Sequence, residues 1–423
     1  MKLTPEEKYQ LIREISHKVR DTLDLDEIME HLLDAVKNVL DYDAAGIFVL
    51  NQDLVHARHE TPQEMIAGVS RRGFDPRPPE QDDMLMLGHG ITGYVILNNQ
   101  SVIVPDVRLD PRYVQGRQKT LSEIAVPIIL NERAIGALNL ESDRLSTYTG
   151  DDVEVLHFFA DAAAISLEKA MLHRQLLDQE LINKQLETAR EVQSRLLPDS
   201  APSLCGYDLA GICIPADQIG GDYFDYIPLT RKRLGLAIAD VSGHGIPSAL
   251  VMTAFRALLR TRARGRLGPA QVARTINQLL PEFTGNNHFV TILYAILDAP
   301  SGMLTYTSCG HPPPLLLGAG GTVEQLDQHN TALGIFHNLH FTDAQVPLHP
   351  GDILVLYTDG VTELTNHQGK AFGVSRLVQV IQANRTLAAV EIVRQVIDAA
   401  QAFAGSSGFR DDLTLVIVRR EAG

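Results

Sequence analysis

Hydrophobic residues recur along the chain with two different periods, and these divide it into predicted helices and predicted strands. Within residues 1–40, apolar side chains return every three or four positions, which predicts an amphipathic helix. A helix with acids in its first turn is predicted over 149–170. Between these helices, continuous apolar runs predict buried strands at 43–50, 101–107, 123–130 and 134–142. This order predicts a compact α+β domain over residues 15–170.

The sequence of residues 171–198 predicts a helical linker. From 167 to 197 the chain has neither glycine nor proline, and charges of both signs alternate with leucines. Apolar residues follow a four-and-three spacing with Gln193 in the same seam, which is typical of a coiled coil. The apolar seam positions are Ile182, Leu186, Ala189 and Leu196. We interpret the segment as a helix that pairs two copies of the chain, and a solvent-exposed connecting helix is the alternative.

From residue 199 to 423 the pattern predicts a second α+β domain. Apolar, often β-branched runs predict strands at 234–240, 289–298, 302–308, 352–359 and 413–418. Amphipathic segments between them predict helices at 248–260, 269–283 and 388–404. A chain of 423 residues is long enough for two such domains and the linker.

Charge and composition indicate which kinds of partner the chain could bind and in which compartment it is expected. The net charge is -15, with 52 acids against 37 bases, so the chain lacks the basic face that nucleic acid requires. The densest basic run, RTRARGR at 260–266, is interpreted as a solvated helix end. No apolar stretch reaches the length of a membrane span, and the N-terminus has no signal-peptide pattern. Three cysteines without zinc or disulfide spacing favour the cytoplasm.

Aspartates stand at the ends of several predicted strands in the second domain. Asp240 and Asp359 each end a strand, Asp411 and Asp412 precede another, and Asp222 follows two glycines. One aspartate at a strand end usually forms a turn. Several carboxylates that meet at neighbouring strand ends repel one another unless cations lie between them. Carboxylate oxygens suit magnesium or manganese, and a pair of such ions can activate water and neutralise a phosphate.

The same motifs, in the same order, resemble a known family. They are GGDYFDY (220–226), ADVSGHGIPSALVM (239–252), SCGHPPPLLL (308–317), YTDGVTE (357–363) and DDLTLVIV (411–418). Together they resemble the SpoIIE/RsbU-like branch of the bacterial metal-dependent (PPM, type 2C) protein phosphatases. The resemblance covers residues 187–420 and implies an αββα sandwich with two stacked antiparallel sheets.

The resemblance also implies a site and an activity. Two Mn²⁺ or Mg²⁺ ions would be held by catalytic Asp222, Asp240, Asp359 and Asp411 together with the backbone carbonyl of Val241, with Asp412 as a second choice. The expected reaction is hydrolysis of phosphoserine or phosphothreonine, and the implied substrate is a STAS-domain anti-anti-sigma factor. Asp225 is interpreted as structural or as a neighbour of the ligands. His244 and His311 are interpreted as structural histidines, with general acids as the alternative.

The N-terminal domain resembles a GAF domain, a small-molecule sensor or dimerisation module. The stretches that carry this resemblance are 25–50, 88–96, 101–113 and 122–142. GHGITG also fits a dinucleotide-binding pattern, but the next strand follows too closely for a βαβ unit. The GAF ligand is unassigned, and we expect this domain to regulate the phosphatase through the linker. A non-enzymatic GAF-containing sensor or scaffold is the alternative function.

Overall fold

The structure is a computed structural model, and it describes residues 25–50, 66–74, 87–265, 267–284, 288–405 and 408–422. The chain divides into two compact units, residues 1–181 and 182–423, which are described separately below. The part of the first predicted helix that precedes Leu25 lies outside the described residues. Within these ranges, no helix combines the length and the apolar character that crossing a bilayer requires.

The described strands of the N-terminal unit form one antiparallel sheet in the order β2-β1-β5-β4-β3. The strands are β1 (Ala44–Leu50), β2 (Ile66–Arg72), β3 (Val102–Val104), β4 (Ser122–Leu130) and β5 (Arg133–Ser142). The helices are α1 (Leu25–Lys37), α2 (Gly90–Asn98) and α3 (Gly150–Ser194), with a short 3₁₀ turn at Val107–Leu109. The predicted strands at 43–50, 123–130 and 134–142 are confirmed within one residue at each end. The strand at 101–107 is shorter than predicted.

Each face of this sheet packs against different helices because successive side chains in a strand point to opposite faces. Ile124 of β4 and Leu138 of β5 lie in a core with α1 and with the first part of α3. Ala125 and Ala137, on the other face, lie in a second core with Ile91 and other residues of α2. Helix α2 was not predicted, because GITGYVILN is apolar on nearly all sides and lacks a helical period.

The C-terminal unit contains two five-stranded antiparallel sheets. The first has the order β13-β10-β9-β8-β7, and the second has the order β12-β11-β14-β15-β6. Strands of the first sheet are β7 (Tyr223–Pro228), β8 (Arg233–Val241), β9 (Val290–Asp298), β10 (Met303–Cys309) and β13 (Ala344–Pro347). Strands of the second sheet are β6 (Tyr207–Ile214), β11 (Leu315–Leu317), β12 (Val323–Gln325), β14 (Ile353–Tyr357) and β15 (Leu413–Arg420).

Helices cover the outer face of each sheet. They are α4 (Ile246–Ala263), α5 (Pro269–Leu279), α6 (Pro281–Thr284), α7 (Asp359–Thr362), α8 (Gly373–Ala383) and α9 (Ala389–Ala404). One core joins α4 and α5 to the first sheet, and another joins α8 and α9 to the second. A third core lies between the sheets and contains Ile238 and Leu293 from one and Leu356 and Val416 from the other. The layers are therefore helix, sheet, sheet, helix, which confirms the predicted αββα sandwich.

Several predicted boundaries in this unit were wrong. The predicted helix 269–283 is two helices that meet at Leu280, because Pro281 begins the second one and its ring cannot continue the first. The predicted strand 352–359 ends at Tyr357, and Asp359 instead begins α7. The short strands β11, β12 and β13 were not predicted, because three or four residues are too few to show a period.

The last part of α3, from Ile182 onward, belongs to the C-terminal unit. Its seam lines an apolar groove of about 490 Å³, opposite Ile246 and Leu250 of α4. The seam residues in this groove are Ile182, Leu186, Ala189, Gln193 and Leu196. The seam therefore faces this unit's own helix, and its pairing with a second copy stays a prediction.

Candidate metal centre

Four aspartates lie at one end of the two stacked sheets. Asp222 immediately precedes β7, and Asp240 lies near the end of β8, its neighbour in the first sheet. Asp359 begins α7 just after β14, and Asp411 precedes β15, the neighbour of β14 in the second sheet. Adjacent antiparallel strands bring the end of one beside the start of the next. Each sheet therefore contributes two carboxylates to the same end of the sandwich.

Two threonine hydroxyls connect the sheets at this end. Thr358, which directly follows β14, and Thr414 of β15 donate hydrogen bonds from Oγ1 to Asp222 Oδ2 at 2.8 and 2.6 Å. Asp222 is only 3% exposed, so these bonds partly replace the water that its carboxylate has lost. Sequence reasoning missed both threonines, although each stands within two residues of a candidate acid. They fix the Asp222 carboxylate relative to the second sheet.

Burial and neighbouring negative charges raise the pKa of each of these aspartates. Burial contributes most to the raised pKa of Asp222, and the charge of Asp240 adds to it. Burial and the charges of Asp359 and Asp411 raise the pKa of Asp240 to about 7. Burial is also the main cause of the raised pKa of Asp359 and of Asp411. Ionising all of them together is unfavourable, and divalent cations between them would offset that repulsion.

The donor atoms at this site are oxygens. The Val241 carbonyl oxygen lies 2.9 Å from the position that a Cβ on Gly221 would occupy, so only glycine permits this close approach. In the described part of the chain, no three Asp, Glu, His or Cys side chains lie close enough to hold one ion. Magnesium is commonly bound through one or two carboxylates and keeps several waters. The residues present therefore fit a hard divalent cation whose shell is completed by water.

Asp412 lies beside these acids, but its carboxylate is occupied by the backbone. Its Oδ1 accepts a hydrogen bond from the N–H of Ala216 at 2.9 Å. Its Oδ2 accepts from Gly221 at 2.7 Å and from Asp222 at 3.2 Å. A Cβ on Gly220 would lie 2.1 Å from the same Oδ2, so a side chain there would displace the carboxylate. Asp412 therefore holds the loop that carries Asp222.

Comparison with known proteins now identifies both units. Residues 230–421 match the model of the stage II sporulation protein E (SpoIIE) family, and residues 22–168 match a GAF domain model. The chain carries a GAF domain and a SpoIIE phosphatase domain. The SpoIIE match includes Asp240, Asp359 and Asp411 and begins after Asp222.

Relatives and solved structures agree with this assignment. The chain is 29% identical over 244 residues to phosphoserine phosphatase RsbU of Bacillus subtilis, covering 57% of this chain and 72% of RsbU. It is 28% identical over 186 residues to phosphoserine phosphatase RsbP of the same organism, covering 43% of this chain and 46% of RsbP. The SiaA PP2C domain of Pseudomonas aeruginosa superposes with a TM-score of 0.52 at 22% identity, covering 57% of this chain and 98% of that domain. The C-terminal unit thus has the fold of a PP2C domain, and two of its relatives are named phosphoserine phosphatases.

The two histidines considered as possible general acids, His244 and His311, differ in environment. His311 is buried, its Nδ1 lies 2.9 Å from Thr291 Oγ1, and burial lowers its pKa to about 3. Burial therefore favours the neutral form of His311, which fits a structural role. His244 is exposed, and its Nδ1 lies 3.8 Å from Asp217.

Asp225 of β7 forms an ion pair with Arg260 of α4. Arg260 donates from Nε and Nη2 to its carboxylate at 2.6 and 2.8 Å, and the Tyr223 hydroxyl donates to it as well. The interpretation of 260–266 as a solvated helix end is therefore wrong for Arg260. The charge of Arg260 balances the buried carboxylate of Asp225. The two residues are far apart in the sequence, so no local pattern predicts this pair.

Proposed function

We propose that this chain hydrolyses phosphoserine or phosphothreonine in a protein substrate at a site that holds two Mn²⁺ or Mg²⁺ ions. The observation that carries the proposal is the meeting of carboxylates from two sheets, each with a raised pKa, inside a PP2C-type domain. The proposed ligands are Asp222, Asp240, Asp359, Asp411 and the carbonyl of Val241. When bound, the two ions would supply Lewis-acid activation of water and neutralise phosphate charge.

In this proposal the residues around the metal site have different roles. Asp240 interacts electrostatically with acids of both sheets: its charge raises the pKa of Asp222, and the charges of Asp359 and Asp411 raise its own pKa. Asp240 would therefore hold the metal together with acids of both sheets. Thr358 and Thr414 orient Asp222, which limits the motion of one ligand. Asp412 is assigned to the loop rather than to an ion, because its oxygens accept backbone hydrogen bonds.

The substrate and the regulation are proposed from the relatives. RsbU and RsbP are named phosphoserine phosphatases, which favours a phosphoserine protein as substrate. We propose a STAS-domain anti-anti-sigma factor in a partner-switching pathway. The GAF domain would act through α3, and pairing of α3 with a second copy would make the chain a homodimer. Exposed leucines along α3 support such pairing, namely Leu172, Leu176, Leu177 and Leu181.

Hydrolysis of a phosphoserine peptide with Mn²⁺ and with EDTA tests the activity. We expect chelator-sensitive release of phosphate from the full chain. Asp240→Asn should reduce that rate by more than about 100-fold, because losing even an outer neighbour of a metal ligand commonly costs 10- to 100-fold. The variant should stay folded, since it removes a charge from a repelling group. Wild-type rates in Asp240→Asn would refute the ligand assignment, and no hydrolysis under any condition would favour a scaffold.

A further inference from the structure

Four large apolar side chains of the SpoIIE domain lie exposed near the strand end that carries Asp240. Each of them is between 41% and 62% exposed, and they are Phe283, Phe289, Ile335 and Phe336. Single exposed apolar residues are common on protein surfaces, but a group of them usually marks a binding surface. Aromatic residues in particular are enriched where proteins meet. We call these four residues the apolar rim.

Backbone contacts bring the rim together around Gly334. A Cβ on Gly334 would lie 3.6 Å from the Cα of Phe289 and 3.2 Å from Cδ2 of Leu280. The Phe283 N–H donates to the carbonyl of Leu280 at 3.0 Å, and the other two rim residues directly follow Gly334. The rim residues therefore come from three segments of the chain that meet at one place.

The loop that carries Ile335 and Phe336 is held by one buried side chain. Asn277 of α5 is only 1% exposed, and its Nδ2 donates to the carbonyls of Phe336 and His337 at 2.8 and 3.2 Å. Its Oδ1 accepts a hydrogen bond from the Gly334 N–H at 2.9 Å. These bonds fix the loop before any partner arrives. A preformed surface loses less conformational freedom on binding, which favours its use as a docking site.

Phe289 connects the rim to the proposed metal ligands. Ser242, which directly follows Val241, donates its N–H to the Phe289 carbonyl at 3.0 Å. The Phe289 N–H in turn donates to Ser242 Oγ at 2.9 Å. This pair continues the antiparallel register of β8 and β9 beyond Val241. A protein whose phosphoserine reaches Asp240 and Val241 therefore lies against the rim.

The segments that carry the rim lack the acids that are frequent elsewhere in the chain. Neither 288–297 nor 328–342 contains Asp or Glu, although the whole chain has 52 acids. Arg274 of α5 lies beside the second segment, with its Nη2 3.2 Å from Nδ1 of His340. A phosphorylated protein brings negative charge, which acids at this position would repel and Arg274 attracts. Charge and apolar surface thus fit the same partner.

We propose that the apolar rim binds apolar side chains beside the phosphoserine of the protein substrate. The inference rests on the proposed function, because that function brings a phosphoprotein to this end of the sandwich. Burial of apolar side chains against the rim contributes binding free energy in proportion to the area removed from water. The rim would therefore favour a phosphoserine flanked by leucine, isoleucine or valine over one flanked by polar residues.

Hydrolysis of two phosphopeptides by the full chain with Mn²⁺ tests this preference. The peptides have equal length and charge, and the phosphoserine is flanked by leucines in one and by serines in the other. We expect kcat/KM to be about tenfold higher for the leucine peptide, mainly through a lower KM, because burying one leucine on the rim is worth about that factor. Equal values of kcat/KM for the two peptides would overturn the proposal.

Substitutions locate the preference on the rim. Phe336→Ser should remove most of the preference for the leucine peptide, measured relative to the rate with p-nitrophenyl phosphate, which has no peptide. Ile335→Ser should act in the same direction and serves if Phe336→Ser folds poorly. Val390→Ser is the matched control, because Val390 is 61% exposed but lies on α9, whose Ala389 N–H donates to Asp208 at the far end of β6. An equal loss of preference in the control and in both rim variants would contradict the assignment.

Fluorescence anisotropy of the same peptides, with serine in place of phosphoserine, measures binding without turnover. We expect a Kd about tenfold lower for the leucine peptide and loss of this difference in Phe336→Ser. If the chain hydrolyses no substrate but keeps this binding preference, the proposed function fails and the rim stands. Equal binding of both peptides would overturn the rim. Self-association of the wild type that Phe336→Ser abolishes, without a peptide preference, would assign the rim to a second copy instead.

Discussion

The side-chain amide of Gln193 makes two hydrogen bonds to the backbone of Gly220. Its Nε2 donates to the Gly220 carbonyl at 2.7 Å, and the Gly220 N–H donates to its Oε1 at 3.1 Å. Gln193 lies in the last turn of α3, and Gly220 lies two residues before Asp222. One side chain thus ties the helix to the loop that positions a proposed ligand. Movement of α3 would act directly on that loop.

Gln193→Ala should weaken metal-dependent hydrolysis by loosening this loop. Each lost hydrogen bond is worth about 0.5–1.5 kcal/mol, so we expect roughly a tenfold rise in the Mn²⁺ concentration needed for half-maximal rate. The rate at saturating Mn²⁺ should fall much less. A Mn²⁺ titration of the hydrolysis rate measures both quantities.

Gln185→Ala is the matched control, because Gln185 lies on the same helix and lines the same groove. It should leave the Mn²⁺ dependence unchanged. An identical shift in both variants would mean that the helix, rather than the bonds to Gly220, determines metal affinity.

Alanine at Asp411 and at Asp412 should produce opposite effects. Asp412→Ala leaves three backbone N–H groups without their charged acceptor, and we expect unfolding to become easier by about 3 kcal/mol. Asp411→Ala costs one backbone hydrogen bond, from the Asp412 N–H, but removes a like charge from the group of acids, so the metal-free protein should lose much less stability while Mn²⁺-dependent activity falls. Calorimetric unfolding in EDTA and hydrolysis with Mn²⁺ measure the two effects. Full stability with lost activity in Asp412→Ala would make Asp412 the ligand instead.

Arg260→Ala should destabilise the SpoIIE domain without removing a proposed ligand. It leaves the carboxylate of Asp225 buried with only the Tyr223 hydroxyl as a partner. Breaking a buried ion pair costs about 3–5 kcal/mol, and the partial exposure of Arg260 lowers our expectation to about 2–4 kcal/mol. Arg262→Ala, in the same last turn of α4, is the exposed control. Equal unfolding temperatures for the two variants would contradict this account.

The stability of the GAF domain should depend on pH through Glu123. Its pKa in the folded protein is raised by burial, then by Glu141 and Asp110, so the folded state keeps a proton that the unfolded state releases above its value of 4.5. Stability is therefore lost as pH rises above 4.5 toward the folded pKa, by up to about 1.4 kcal/mol per pH unit. Glu123→Gln has no such proton, so its stability relative to wild type should increase with pH.

The test is to measure the unfolding temperatures of wild type and Glu123→Gln at several pH values above 4.5. Glu154→Gln should show no pH-dependent difference from wild type, since its carboxylate is exposed. A constant difference between Glu123→Gln and wild type at every pH would show that Glu123 does not carry the proton.

Much of the fold follows from local pattern. The long apolar runs of β4, β5, β8, β9 and β15 predict strands because few other structures bury consecutive apolar residues in segments of that length. Aspartates beside such runs, such as Asp240 at the end of β8 and Asp411 before β15, also predict the candidate site. Elements with few residues or without a period, such as β12 and α2, were missed because their existence depends on the sheet and core that surround them.

The sequence by itself determined which acids could form a site, because it places Asp222, Asp240, Asp359 and Asp411 beside buried strands. Only the tertiary structure decided the partner of each acid. Asp411 and Asp412 are neighbours in the chain, yet the Asp412 carboxylate accepts N–H bonds from a loop about 190 residues earlier. Whether Asp411 or Asp412 contacts the loop at Gly221 and Asp222 depends on how the two sheets stack. It also depends on the direction in which each side chain points just before β15. Those contacts arise from packing over long sequence separations, which a local pattern of residues does not encode.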